Sequence, residues 1–343
     1  MSVLVTGGVG FLGSHVCEYY KKKGYKVVAY DNLTKYELSR SPYKVVKARN
    51  YNLEFLKDIG VDVIIGDILD YRLLEETIRN NSVEYIVNCC AQPAMTISIE
   101  NPVLDFRVNV EGAINLLELA TKYDIPLLLC STIHVYGNGI NKRILDICGR
   151  FTIPEVHLDE NEPVLTGKLT PLHASKRSME IYGRTYHETY GTKVGIFRLT
   201  GIYGPRQMGT EDHGWVANFT IRILTHRPIK IFGTDKQVRD ILYVTDAVEA
   251  IDAFRRTPKS GIYNVGGGVT NIMSLRDVID TVSDLTGIKP VVEYLPPRKG
   301  DLWYFVCNID KIRRELKWIP KVSPREGLTN LVGWVEDNLD IFR

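Results

Sequence analysis

Ser2-Val3-Leu4-Val5-Thr6-Gly7-Gly8-Val9-Gly10-Phe11-Leu12-Gly13 opens the chain and decides how the rest is read. A short apolar run leads into clustered glycines and then into a helical stretch ending near Lys23, the pattern of a buried strand, a glycine turn and a helix. Gly7 permits the tight turn, Gly10 lets the backbone approach a pyrophosphate, and Gly13 lets helix and strand pack closely. The helix N-terminus, beginning with Phe11 and Leu12, then faces the phosphates. A second strand, Lys26 to Tyr30, delivers Asp31 and Asn32 about twenty residues after the glycines. A carboxylate there accepts the ribose hydroxyls of NAD and repels a 2'-phosphate, so NAD is expected over NADP.

Strands are expected near 2–6, 26–30, 61–66, 84–90, 126–131 and 194–199, with helices between most of them. This alternation implies an α/β, Rossmann-type doubly wound parallel sheet covered on both faces. Between Pro102 and Tyr123, apolar residues at Val103, Phe106, Val110, Ile114, Leu117 and Ala120 follow a helical period. After Arg198 the alternation becomes irregular, with helices near 215–224, 244–255, 273–286 and 323–338 and short strands near 229 and 261. The expected organisation is an NAD-binding domain over 1–200, with a returning segment near 238–260, and an interleaved, mixed α/β substrate lobe over 201–343. Asn138 to Leu169 is one long irregular stretch, long enough for a functional loop.

With 343 residues, 44% of them hydrophobic, the chain can bury a full core, and its net charge of +2 offers no basic face suited to nucleic acid. No segment approaches the length of a membrane span. The first strand begins at residue 2, so no signal peptide is expected, and the six cysteines lack metal-ligand spacing. A reducing cytoplasm is the expected compartment, with neither a metal nor a membrane or nucleic-acid partner.

Several further segments occur in a specific order: Gly66-Asp67-Ile68, Ala91-Gln92, Asp105-Phe106-Arg107-Val108-Asn109, Cys130-Ser131-Thr132-Ile133-His134-Val135-Tyr136-Gly137 and Tyr203-Gly204-Pro205-Arg206. Together with the glycine turn they resemble the extended short-chain dehydrogenase/reductase family of nucleotide-sugar epimerases and dehydratases, over essentially the whole chain. Three more segments resemble its CDP-tyvelose (CDP-paratose) 2-epimerase branch: Ala94 to Pro102, Asp212-His213-Gly214-Trp215-Val216 and Lys236-Gln237-Val238-Arg239-Asp240. The resemblance implies that Asp67 and Ile68 meet adenine and that Ala91, Gln92 and Asn109 belong to the cofactor site. It also implies that Arg239 and Arg298 clamp a nucleotide diphosphate, with Trp215 and Asn218 nearby. A guanidinium fork suits phosphates held in fixed orientation. The implied partner is a nucleotide-diphosphate sugar, CDP-linked by subfamily likeness, and the implied assembly is a homodimer formed through the helices near 102–123 and 171–190.

The implied chemistry is a hidden redox cycle in which hydride leaves a sugar carbon and returns to the opposite face. In the family a Tyr-x-x-x-Lys pair and a Ser or Thr manage the hydroxyl proton. Thr132 and Lys176 match, but Leu172 stands where the tyrosine belongs. His134, on the loop expected to shape the sugar pocket, and His173, beside Leu172, are the candidate replacement bases, since an imidazole suits neutral pH. Proton transfer to Lys176 or water also fits, as does a protein that binds NAD and a nucleotide sugar without turning them over. A 4,6-dehydratase is disfavoured, because Ile133-His134 follows Thr132 where an acid pair would be required. A 4-epimerase remains open.

Overall fold

The computed structural model describes residues 1–343. Strands β1 (Ser2–Thr6), β2 (Lys26–Asp31), β3 (Asp62–Ile65), β4 (Tyr85–Asn88) and β5 (Leu127–Thr132) form where the apolar runs place them. A small antiparallel hairpin, β6 (Leu145–Ile147) with β7 (Arg150–Thr152), precedes β8 (Val194–Leu199), β9 (Gly201–Tyr203), β10 (Ile229–Phe232), β11 (Val238–Tyr243) and β12 (Gly261–Val265). Seven of these pair in parallel in the order β12-β8-β5-β4-β1-β2-β3. All residues of β1, β4 and β8 are buried, as required of strands with helices on both faces. The chain runs outward from β1 through β2 to β3 and then crosses back to β4 on the other side of β1, so a crevice opens at the carboxyl ends of β1 and β4, where the strand order reverses.

Three features depart from the sequence expectations. The strand near 261, expected in the lobe, is the edge of the central sheet: Tyr263 and Val265 lie beside Phe197 and Leu199 of β8 in one apolar cluster. Conversely, β11, expected within the returning segment, pairs with β9, Ile272–Ser274 and Tyr304–Phe305 outside that sheet. The helix expected over 102–123 is interrupted by a π-turn at Arg107–Glu111 between Pro102–Phe106 and Gly112–Lys122. π-turns recur at functional sites because they re-aim one side chain. Here the turn contains Asn109, whose amide bonds Gln92, Asp105 and Ser175.

A second apolar core lies in the C-terminal region, where helices Trp215–Leu224, Leu275–Thr286 and Pro324–Asp337 pack together. Beneath the end of β5 sits a buried ion pair: Arg198 donates to both carboxylate oxygens of Glu180 at 2.9 and 2.8 Å. Ser131 Oγ donates to the same carboxylate at 2.7 Å, and Arg198 stacks over the Tyr136 ring. This cluster ties helix Pro171–Tyr190 to the strand that carries Thr132.

Candidate active site

A cavity of about 540 Å³ opens at the carboxyl ends of β1, β2, β4 and β5 and is closed on its far side by residues of the C-terminal region. Gly7, at φ +65°, makes the turn; a Cβ there would stand 2.6 Å from the Cys90 backbone nitrogen. A Cβ at Gly13 would lie 2.1 Å from the Gly7 carbonyl, so helix Phe11–Lys22 can approach β1 only through glycine. Gly10 caps that helix without a side-chain bond, and no acidic residue occupies the first turn. Its N–H groups therefore remain available to an anion.

Asp31 is held by the glycine loop itself: Val9 N–H donates to Oδ2 at 3.0 Å and Leu33 N–H to Oδ1 at 2.7 Å. Burial raises its pKa, opposed by these two bonds and by the nearby Lys35 ammonium. Each oxygen keeps further acceptor capacity for a diol. Asn32 donates to Asp67 at 3.0 Å, which fixes the two strand ends around the pocket expected for adenine. Gly10, Phe11, Leu12, Asp31, Asn32, Asp67, Ile68, Ala91 and Gln92 all line the cavity. The glycine cradle, the open helix terminus and the diol-facing carboxylate together fit NAD. When bound, NAD supplies a reversible hydride acceptor.

Gly13 packs beneath the glycine turn, as expected of the glycine that lets helix and strand pack closely, and Asn109 lies behind the cavity wall; neither lines the cavity. Asn109 accepts the Gln92 N–H at 3.1 Å and donates to Gln92 O, so it fixes the wall without forming it.

Helix Pro171–Tyr190 places Leu172 and Lys176 four residues apart, on one face, and both line the cavity. Lys176 Nζ donates to Cys130 O at 3.0 Å, and burial lowers its pKa, opposed by neighbouring thiols and Asp105. Thr132 Oγ1 accepts the His134 N–H at 3.2 Å. His173, a candidate base, is absent from the cavity wall. Its Nδ1 accepts the Thr170 N–H at 3.1 Å and meets Thr170 Oγ1 at 2.7 Å, which commits the ring to capping its own helix. His134 does line the cavity, but burial pushes its pKa down to about 3, helped by His173, Arg239 and His213, and its Nδ1 is sealed without a partner.

On the opposite wall, Trp215 and Asn218 sit on the first turn of helix Trp215–Leu224. Arg298 Nη1 donates to Glu211 O at 2.8 Å while its guanidinium lies 3.7 Å from the Phe232 ring centroid. Arg239 donates to Val238 O and Leu302 O and lies 3.9 Å from Asp301. Burial lowers the pKa of both arginines, with Asp301 opposing it at each. Lys35, Glu37, Met208 and His213 also line the cavity and were not among the residues selected from the sequence. Glu37 lies six residues past Asp31, in the short 3-10 helix Tyr36–Arg40, with no motif to flag it.

A glycine cradle that fits NAD faces a pair of guanidiniums across one crevice, the layout of an NAD-dependent protein of the nucleotide-sugar epimerase and dehydratase class. The chain belongs to the NAD dependent epimerase/dehydratase family, whose sequence profile matches residues 3–266. It is 30% identical to CDP-paratose 2-epimerase of Salmonella typhi over 345 residues, covering 97% of this chain and 99% of that protein. It is 29% identical to UDP-glucuronate 4-epimerase of Thermodesulfobacterium geofontis, covering 99% and 98%. Among solved structures, UDP-glucose 4-epimerase of Thermus thermophilus in complex with NAD superposes with a TM-score of 0.81 at 32% identity, covering 98% and 99%. No helix is long and apolar enough to cross a membrane.

Proposed function

We propose that the protein epimerises a CDP-linked hexose or deoxyhexose at C2 through a transient ketone, in a reducing cytoplasm. The observation that carries this reading is the opposition, across one cavity, of the glycine cradle and the Arg239–Arg298 pair. Likeness to CDP-paratose 2-epimerase over nearly the whole chain supports the choice of C2 and cytidine. In this reading Asp31 and Asn32 orient the cofactor, the arginines hold the diphosphate, and Thr132 and Lys176 face the reacting sugar. A 4-epimerase uses the same parts, and likeness to UDP-glucuronate 4-epimerase keeps that reaction as the alternative. Leu172 favours a third reading, a protein that binds NAD and a nucleotide sugar without turnover, because an isobutyl group takes no proton.

Two expectations test the site. Arg298→Ala should weaken nucleoside diphosphate binding by about 10- to 100-fold, the loss of a charge-assisted bond, by calorimetry with CDP and UDP. Equal affinity would remove Arg298 from the clamp. Leu172→Tyr should raise turnover at least about tenfold, since it places a phenol one helical turn from Lys176, in the cavity that Thr132 also lines. An unchanged rate would mean that the pocket no longer holds the family's geometry.

A homodimer belongs to the same proposal. Val103 and Phe106 are 65% and 54% exposed, and Ile181 and Tyr182 on the packed neighbouring helix are 50% and 43% exposed. Contiguous apolar surface of this kind marks an association face. A single-chain mass at micromolar concentration would contradict it.

A further inference from the structure

With Leu172 unable to take a proton and His173 committed to its helix cap, two imidazoles remain on the cavity wall. They differ in what surrounds them. His134 is half-buried, its Nδ1 sealed without a partner, and the charged groups near it are His173, Arg239 and His213, with no carboxylate to favour its imidazolium. His213 is exposed, yet protein encloses it, because the surface it shows is the cavity itself.

The segment that carries His213 is anchored on both sides. Asp212 Oδ1 accepts Thr96 Oγ1 at 2.8 Å, and Asp212 Oδ2 lies 3.9 Å from Arg40. Thr210 N–H donates to His213 O at 2.8 Å, and Gly214, at φ +77°, turns the chain into helix Trp215–Leu224. The charged and titratable groups near the ring are Glu37 from the short 3-10 helix Tyr36–Arg40 after β2, Asp212 beside it, Lys176 from the long helix, and His134. Burial lowers its pKa and Lys176 adds to that, while Glu37 and Asp212 oppose it. The ring is therefore neutral at neutral pH and has carboxylates waiting for its cationic form, the arrangement a general base requires.

We propose that His213 is the catalytic base that replaces the missing phenol, a role that rests on the epimerase reading and deepens it. The substrate O–H bond breaks and its proton moves to an imidazole nitrogen of His213. NAD, if held by the glycine cradle and Asp31, would supply the reversible acceptor for the C–H electron pair as the C=O bond forms, so no external oxidant would be consumed. His213 would hold the proton meanwhile and return it to oxygen to restore the alcohol.

His213→Gln keeps the bulk and polarity of the side chain but cannot take up the proton. With the nucleotide sugar that the wild type turns over, this variant should lose about 10²-fold or more in kcat with KM changed by less than about threefold. The wild-type kcat should fall as pH drops below the ordinary histidine value of 6.5, because the pKa is lowered and only the neutral ring accepts a proton. That acid limb should vanish in His213→Gln, and imidazole should partly rescue His213→Ala. Independently of turnover, the His213 ring resonance should titrate below pH 6.5 and shift when CDP- or UDP-hexose binds. Wild-type kcat and acid limb in His213→Gln, a loss wholly in KM, or a ring resonance indifferent to ligand would each overturn the role. If the wild type binds sugar nucleotides but neither reduces its cofactor nor epimerises them, the epimerase reading fails and the base falls with it. A wild type and a His213→Gln variant that react equally fast overturn the base alone.

Discussion

Lys176→Met is expected to cut turnover by about 10²- to 10⁴-fold while leaving the fold intact. Lys176 is 5% exposed, donates one bond to Cys130 O, and borders the cavity that Leu172 and Thr132 also line. An ammonium in so dry a place exerts a field that water barely screens, and it lowers the cost of an oxygen that is losing its proton. Methionine is close to lysine in length and fills the same channel without charge. The protein should therefore melt no lower than the wild type, because the desolvation cost of the buried ammonium disappears with it. Single-turnover cofactor reduction and a thermal melt together check this. A Met variant with the wild-type rate would show that Lys176 has no part in the chemistry, and a collapsed melting temperature would show that it is chiefly structural.

Arg198→Ala is the largest stability effect expected, about 3–5 kcal/mol, read from urea unfolding as a lower midpoint at unchanged slope. Glu180 and Arg198 are 0% and 2% exposed, so removing the guanidinium strands a carboxylate that accepts only the Ser131 hydroxyl and the Arg177 guanidinium. The consequence reaches the site, because Ser131 precedes Thr132 at the end of β5 and Tyr136 packs on the same guanidinium. A variant within about 1 kcal/mol of the wild type would contradict this, since surface ion pairs are worth that little.

The strands of the central sheet were legible because each is an apolar run between turn residues, and the glycine turn was legible because each glycine has a separate steric reason. Asp31 followed from its distance to that turn. The seventh strand was legible as a short strand near 261 but not as part of this sheet, since Gly261-Ile262-Tyr263-Asn264-Val265 arrives after the alternation has broken down and nothing local states which sheet it joins. Helical period alone also could not reveal the π-turn that aims Asn109 behind the wall. His173 misleads for a similar reason: adjacency to Leu172 suggests chemistry, whereas the ring folds back on Thr170 at the start of its helix. His213 lies inside one of the segments that carry the resemblance, but its place on the cavity wall is fixed by contacts such as Asp212–Thr96, between residues 116 apart in sequence.

The most direct test of the central claim is absorbance at ~340 nm, where reduced nicotinamide absorbs, while CDP-, GDP- and UDP-linked sugars are added in turn to the purified protein, with magnetic resonance analysis of the products. The account predicts transient cofactor reduction and a C2 epimer with a CDP-linked sugar. Tight binding of these sugars with neither reduction nor epimer from any of them would contradict it and leave a binding protein in an epimerase fold.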